Sequence, residues 1–395
     1  MLVLKNARLL PELTEGFAGS RGDVVLEGNL IREVVPAGTA FYPGAETFDM
    51  TGKTFIPGLI EAHLHLDLCG MNTFEENVQP DAYRVMRAVS LAQEYLRTGY
   101  TTIRDVGDRN NIIISVARAF DEGLVPGPTV LASGKILSPT ESGNEFFGDM
   151  YLEADSPEEF RKAVRTQYQA GAKWIKIMGT GAVMNPGAEP GAPIIMEEEL
   201  LEACKTAAFV NRPVAVHCHG KEGIKMCIRC GVRTVEHSSV MDEECIRMYL
   251  AQDKTYMIPT VSSAYAFAEI PGLVPEFMSA KSRKVVKLMA EGTIAAYEAG
   301  VKMGWGTDAG VYAGSHGNGL YEFRCRVHKL GFSPLDTLIQ ITKNNAEILY
   351  IDDQVGTIAP GKIADLVAID GNPDQDIERI AAVAAVFKGG RLVKL

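Results

Sequence analysis

The chain has 395 residues, 46% hydrophobic and 23% charged with no low-complexity tract, which excludes a disordered protein and supplies one large core plus a smaller one. A formal net charge of -11 argues against nucleic acid or an anionic membrane surface as a partner. No run approaches the ~18 apolar residues of a membrane span, and the first residues are apolar too briefly for a secretory leader. The seven cysteines are odd in number and scattered, so the expected setting is the cytoplasm, without a disulfide framework.

From Met1 to about Thr54 the pattern is one of short strands and turns: Leu2–Asn6, then Asp23–Val34, with Glu27-Gly28-Asn29 as a hairpin signal. The last forty residues look alike, with Ala364–Asp370 and with Val386–Val393 divided by Gly389-Gly390. Neither end can close a β core alone, so residues 1–55 and 355–395 are expected to join as one small β-sandwich domain. Between them, in residues 56–354, apolar strand-like runs alternate with amphipathic helical patterns, the signature of a parallel α/β sheet. The expected strands are Leu59–His65, Tyr100–Asp105, Thr129–Ser133, Trp174–Met178, Val214–His217, Val232–His237, Tyr256–Pro259 and Val301–Asp308. The helical runs include Asp81–Arg97, Pro157–Ala170, Glu197–Phe209, Glu222–Arg229, Asp242–Gln252, Ala280–Ala299 and Pro334–Tyr350. That count is the count of an α/β (β/α)8 TIM-type barrel, whose active sites sit at the carboxyl ends of the strands.

Reactive side chains fall at five of those ends. The apolar run Phe55–Asp67 carries His63 and His65, which project to one face of an extended strand while Ala62 and Leu64 face the other way. Lys176 interrupts the apolar strand Trp174–Met178, His217 and His219 end Val214–Gly220, His237 ends Thr234–His237, and Asp308 ends Met303–Asp308. Singly, His237 reads as a hydrogen-bonded core residue and Asp308 as the cap of a following helix. Lys176 is harder to place, because taking an ammonium out of water costs several kcal/mol (~3–5) unless it is paired or neutralised. Burial lowers a lysine's pKa, and the free amine combines with carbon dioxide to a carbamate whose two oxygens bridge two metals. Imidazoles with hard oxygen ligands and no thiolate suit zinc, with Mn, Fe or Co as second choice. Cys227-Ile-Arg-Cys230 has the spacing of a metal or redox pair, but it falls in a helix and no second pair accompanies it, which gives it a structural reading.

Together these stretches resemble the amidohydrolase superfamily over the whole chain. Pro57-Gly-Leu-Ile-Glu-Ala-His63-Leu-His65 is similar to the first-strand metal motif, Gly99–Asp105 to the second-strand signature, and Gly306-Thr-Asp308-Ala-Gly to the eighth-strand aspartate. Asn345–Leu349 and Val355–Val367 resemble the segment leading back to the sandwich, while Val214–Ile224 and Gly231–His237 resemble the imidazolonepropionase-like and prolidase-like branch.

The resemblance implies two divalent ions: His63, His65 and Asp308 on one, His217 and His237 on the other, and carboxylated Lys176 bridging. Strand spacing leaves His217 and His219 interchangeable as ligand; the resemblance implies His217, with His219 beside it or on substrate. The implied reaction is cleavage of a C–N amide bond in a dipeptide, N-acyl amino acid or cyclic amide by a metal-bridging hydroxide, with Asp308 as proton carrier. A hydrolytic deaminase of a small heterocycle is the alternative. A non-catalytic scaffold is disfavoured, since every expected ligand position is filled. Relatives are often multimers, so a homo-oligomer is expected.

For the substrate, the segment Thr140–Asp149 lacks the Gly-Gly-His-Gly-Asp element common in prolidase-like relatives and carries two extra aromatic residues, with Asn144 as a candidate contact. The Gly- and Pro-rich loop Met184–Pro193 is expected to shape the pocket rim, and Tyr265 and His316 are further candidate substrate contacts.

Overall fold

Strands from both ends of the chain meet in one mixed sheet in the computed structural model, which describes residues 1–70, 73–317 and 319–394. The amino-terminal part gives β1 (Leu2–Leu9), β2 (Arg21–Glu27), β3 (Leu30–Pro36), β4 (Glu46–Asp49) and β5 (Lys53–Pro57). β2 and β3 form the expected hairpin, with Gly28 at φ 61° in the turn. One edge of β1 pairs with β2, while the other passes from β4 at Leu2–Lys5 to β5 at Arg8–Leu9.

The parallel strands follow. β6 (Leu59–Leu64), β7 (Tyr100–Asp105) and β8 (Thr129–Ala132) make a three-stranded sheet. β9 (Ile136–Ser138), β10 (Tyr151–Glu153), β11 (Ile175–Met178), β12 (Val214–Cys218), β13 (Thr234–His237) and β14 (Tyr256–Ile258) make a second, in the order β10-β9-β11-β12-β13-β14. β6, β7, β11, β12 and β13 are buried at every residue, as parallel strands covered on both faces must be. Three helices, Asp81–Arg97, Pro157–Ala170 and Glu197–Phe209, have the bounds their periodicity predicts. Ser156 caps the second by accepting from the Glu159 amide, and Gly171 ends it at φ 103°. Their apolar faces meet the strands in a core that includes Phe160, Leu200, Ile177 and Val216.

The last part of the chain returns to the first sheet as β15 (Leu366–Asp370), β16 (Val383–Lys388) and β17 (Arg391–Lys394). β15 lies antiparallel to β5, from Leu366 opposite Pro57 to Asp370 opposite Lys53. Period-two alternation divides these strands: Phe55, Leu366 and Ala368 enter a core of the sheet's own, whereas Ile56, Val367 and Ile369 pack with the helices and strands of the α/β part. Strands from both ends of the chain thus share one continuous mixed sheet.

Two expectations are corrected. Val301–Asp308 is not a regular strand; it touches its neighbours through isolated parallel bridges, Met257 with Met303 and Leu64 with Ala309, so regular pairing stops short of a closed ring. Side chains take the place of part of the ladder. Asn345 accepts from the Trp305 amide at 2.9 Å and donates to the Ile60 and Trp305 carbonyls, while Glu61 accepts from the Thr307 amide at 3.2 Å. The helix expected over Pro334–Tyr350 is interrupted by a wider π turn at Gln340–Asn344, which turns the Asn344 amide onto the Met303 carbonyl. Cys227 and Cys230 lie on the helix Lys221–Cys230, both as free thiols, with Gly231 closing it at φ 74°. No helix among the described residues is long and apolar enough to cross a membrane.

Candidate metal centre

The carboxyl ends of β6, β11, β12 and β13, with the segment after β14 that ends at Asp308, bring His63, His65, Lys176, His217, His219, His237 and Asp308 to one cavity. Ring centroids run from His65 to His63 at 5.8 Å, His63 to His237 at 4.9 Å, His237 to His217 at 4.5 Å and His217 to His219 at 4.6 Å. His63 Nε2 and His65 Nε2 lie 3.3 and 3.6 Å from Asp308 Oδ1. Donor atoms of His63, His65 and Asp308 lie within 4.8 Å of one another, near enough for one ion to touch all three.

Four of the five rings are held from behind. His65 Nδ1–H donates to the Gly107 carbonyl at 2.9 Å, which fixes its tautomer and leaves Nε2 a lone pair. His63 Nδ1 sits 2.6 Å from Glu236 Oε2, His237 Nδ1 2.7 Å from Thr260 Oγ1, and His219 Nδ1 2.7 Å from Ser239 Oγ. His217 Nε2 is buried and has no hydrogen-bond partner among the described residues. An orphaned imidazole nitrogen among four rings anchored through Nδ1 is what a divalent ion would satisfy, and the donor set fits one.

Burial also favours the neutral form of His65, His217, His219 and His237, the form a metal requires. It lowers His65 and His219 to about 4, with Asp308 opposing in both, and it sets His217 and His237 well below the ordinary histidine value, helped by the neighbouring imidazoles. Lys176 falls to about 8 through loss of solvent, against the pull of Glu236. It makes no ion pair with a described residue, so the amine competes with the ammonium near neutral pH. His237 and Asp308 hold left-handed backbone at φ 70° and 58°, a strained geometry concentrated where the side chains must turn inward. Gly306 allows the close crossing there, since a Cβ on it would lie 2.8 Å from the His63 Cβ.

Behind the rings lies a charge network that the sequence reading did not single out. Arg104 of β7, fully buried, donates to Glu236 at 2.9 and 3.0 Å, to Thr234 Oγ1 at 2.8 Å and to the Ala62 carbonyl at 2.5 Å, with its guanidinium over Trp174. Burial alone would raise Glu236; Arg104, His63 and Lys176 outweigh it, and its carboxyl is held below the usual range. The signal was available: Arg104, Glu61 and Glu236 each interrupt an apolar strand, as Lys176 does.

The cavity opens to solvent and, with the open space at its mouth included, has about 790 Å³ of empty volume. The rim loop supplies Met184 and Asn185, and the aromatic segment before β10 supplies Phe147. The other proposed substrate contacts stand outside the lining. Asn144 is buried and donates to the Pro139 carbonyl and Glu153 Oε1, clasping its own loop. Tyr265 lies under the Lys329 ammonium at 4.0 Å, and His316 Nε2–H donates to the Leu68 carbonyl at 2.7 Å. Following a strand in sequence did not reveal which way these side chains turn.

Imidazoles, a carboxylate and a buried lysine thus meet in one cavity beside the carboxyl ends of parallel strands, where α/β barrels place their chemistry. The chain belongs to the amidohydrolase family, whose model matches residues 54–393, and it is a hydrolase acting on C–N bonds. Ochratoxinase of Aspergillus niger is 30% identical over 372 residues, covering 86% of this chain and 75% of that protein. A Xaa-Pro dipeptidase with bound methionine in the active site superposes with a TM-score of 0.91 at 30% identity, with 100% of each chain covered. A prolidase complexed with N-methylphosphonate-L-proline gives 0.88 at 32% identity, covering 100% of this chain and 99% of that one.

Proposed function

We propose that this chain is a metal-dependent amidohydrolase that cleaves the amide bond of a small molecule, a dipeptide, N-acyl amino acid or cyclic amide. The observation that carries the reading is the inward convergence of His63, His65 and Asp308 beside the partnerless His217 Nε2. His63, His65 and Asp308 would hold one ion, His217 and His237 the other, and Lys176, as a carbamate, would join them; zinc suits this donor set. Such ions supply Lewis acidity and a water that ionises near neutral pH.

The chain's own residues do the rest. Asp308 Oδ1, beside His63 and His65, holds the proton released as water adds to the carbonyl and returns it to the departing nitrogen. His219, with Nδ1 on Ser239, is free at Nε2 to contact the substrate. The prolidase and Xaa-Pro dipeptidase neighbours favour an amino-acid amide.

We place the centre in a (β/α)8 barrel of residues 56–354, with residues 1–55 and 355–395 as the β-sandwich domain. Support comes from backbone contacts around the gaps: Lys173 N to Ala132 O at 2.8 Å, Gly304 N to Met257 O at 3.0 Å and Asp308 N to His63 O at 2.8 Å. The test is metal analysis with a screen of dipeptides, N-acyl amino acids and lactams. Bound divalent metal and release of an amine from one class are expected; ammonia from an aminated heterocycle would replace this reading by deamination.

A further inference from the structure

Apart from His217, which the metal reading already uses, Asn185 is the cavity-lining side chain among the described residues whose buried polar atoms have nowhere to go. It lies on the rim loop after β11, it is 1% exposed, and neither Oδ1 nor Nδ2 has a hydrogen-bond partner among the described residues. Burying a carboxamide unpaired is costly, and a native site that keeps one reserves it for a partner that arrives later. The loop is held so that the side chain stays in place. Lys281, on the helix Glu276–Glu298, donates to the Asn185 carbonyl at 2.8 Å and to the Ala188 carbonyl, and Gly191 packs against Gly220 at the end of β12.

The rest of the wall restricts what that partner is. Phe147, Met178, Met184, Phe267, Val285 and Met289 give a broad apolar surface. Lys176 is the only lysine or arginine among the lining residues, and the proposed chemistry already uses it. A free carboxylate held against this wall would therefore meet no cation beyond the metal cluster. It would accept from Asn185 Nδ2, but it has no hydrogen for Oδ1. A carboxamide or a lactam edge satisfies both atoms at once, donating to Oδ1 and accepting from Nδ2.

We propose that Asn185 is a specificity-determining residue that selects substrates carrying, beside the scissile amide, an uncharged donor–acceptor group on an apolar body, in preference to those ending in a free carboxylate. This rests on the reading of the site as an amide hydrolase and narrows its substrates to cyclic amides and to amidated forms of dipeptides and N-acyl amino acids; the test separates the two claims. Binding of N-benzoyl-L-phenylalaninamide and of N-benzoyl-L-phenylalanine is measured calorimetrically on the metal-loaded protein, alongside their hydrolysis. The wild type is expected to bind the carboxamide at least about tenfold more tightly than the acid, the scale of one buried hydrogen-bond pair. Asn185→Leu, of similar volume, should abolish that ratio mainly through Kd and KM, with kcat little changed. Asn185→Ala, which removes the carboxamide without adding bulk or charge, serves the same purpose should the leucine variant misfold.

Equal or reversed preference in the wild type, absence of binding for both compounds, or a ratio unchanged in the variants would overturn the assignment. Preferential binding with no cleavage of either compound would leave the role of Asn185 standing and count against amide hydrolysis.

Discussion

Glu236 Oε2 lies 2.6 Å from His63 Nδ1, both groups are buried, and the same carboxylate takes two hydrogen bonds from Arg104. One glutamate therefore fixes the face that His63 presents to the cavity and neutralises an arginine in the core. Removing it breaks both roles. Glu236→Ala should destabilise the fold by about 3–5 kcal/mol, the cost of leaving a buried charge unpaired. Glu236→Gln, which keeps the shape, should fold and lose about 10–100-fold in metal affinity or turnover, as partners behind a metal ligand typically do. Denaturant melts and metal titration of the two variants distinguish these effects.

Asp308 is expected to matter for proton transfer more than for folding. Asp308→Asn keeps an oxygen near His63 and His65 but cannot carry the proton, so kcat should fall by at least about 100-fold while bound metal is largely retained. Full activity with metal retained would remove Asp308 from the reaction.

The contact between Gly220 and Gly191 is tight enough to test the rim loop without touching a polar group. A Cβ on Gly220 would stand 2.1 Å from the Gly191 carbonyl oxygen, and Gly191 itself has φ 90°. Gly220→Ala should push the loop that carries Asn185 outward, raising KM more than it lowers kcat, with a stability loss of about 1–3 kcal/mol. An unchanged KM at reduced stability would separate the loop from substrate binding.

A stability prediction away from the centre follows from Asp242, which caps the helix Glu243–Leu250 by accepting from the Cys245 amide and pairs with Lys225 at 3.0 Å. The backbone hydrogen bond, then Lys225, hold its carboxyl below the ordinary range. A carboxyl lowered in the folded state stabilises above its unfolded pKa, and that contribution fades as pH falls through the lowered value. Asp242→Ala should therefore cost about 1 kcal/mol at neutral pH, with the gap to wild type closing below about pH 4. Urea melts across this range provide the check.

Much of this was legible because burial writes itself into strands. Lys176 was identified from an ammonium set among isoleucines, and the paired histidines from period-two spacing. The same logic, applied to Glu61, Arg104 and Glu236, would have exposed the network behind His63. What sequence did not carry was side-chain direction in loops: Asn144, Tyr265 and His316 follow strand ends in the chain, yet the first clasps its own turn and the last bonds a backbone carbonyl. Nor did it reveal that Asn345 and Glu61 would take over the backbone groups of Met303–Asp308, because those partners come from distant parts of the chain.

The account turns on two cations held by these side chains with Lys176 between them. Elemental analysis of the purified protein and of Lys176→Ala, with short carboxylic acids added back to the variant, tests this most directly. The account predicts two divalent ions per chain in the wild type, at most one with little turnover in the variant, and partial recovery with the added acid. A wild type that hydrolyses amides without bound metal, or a variant that keeps both ions and full activity, would contradict it.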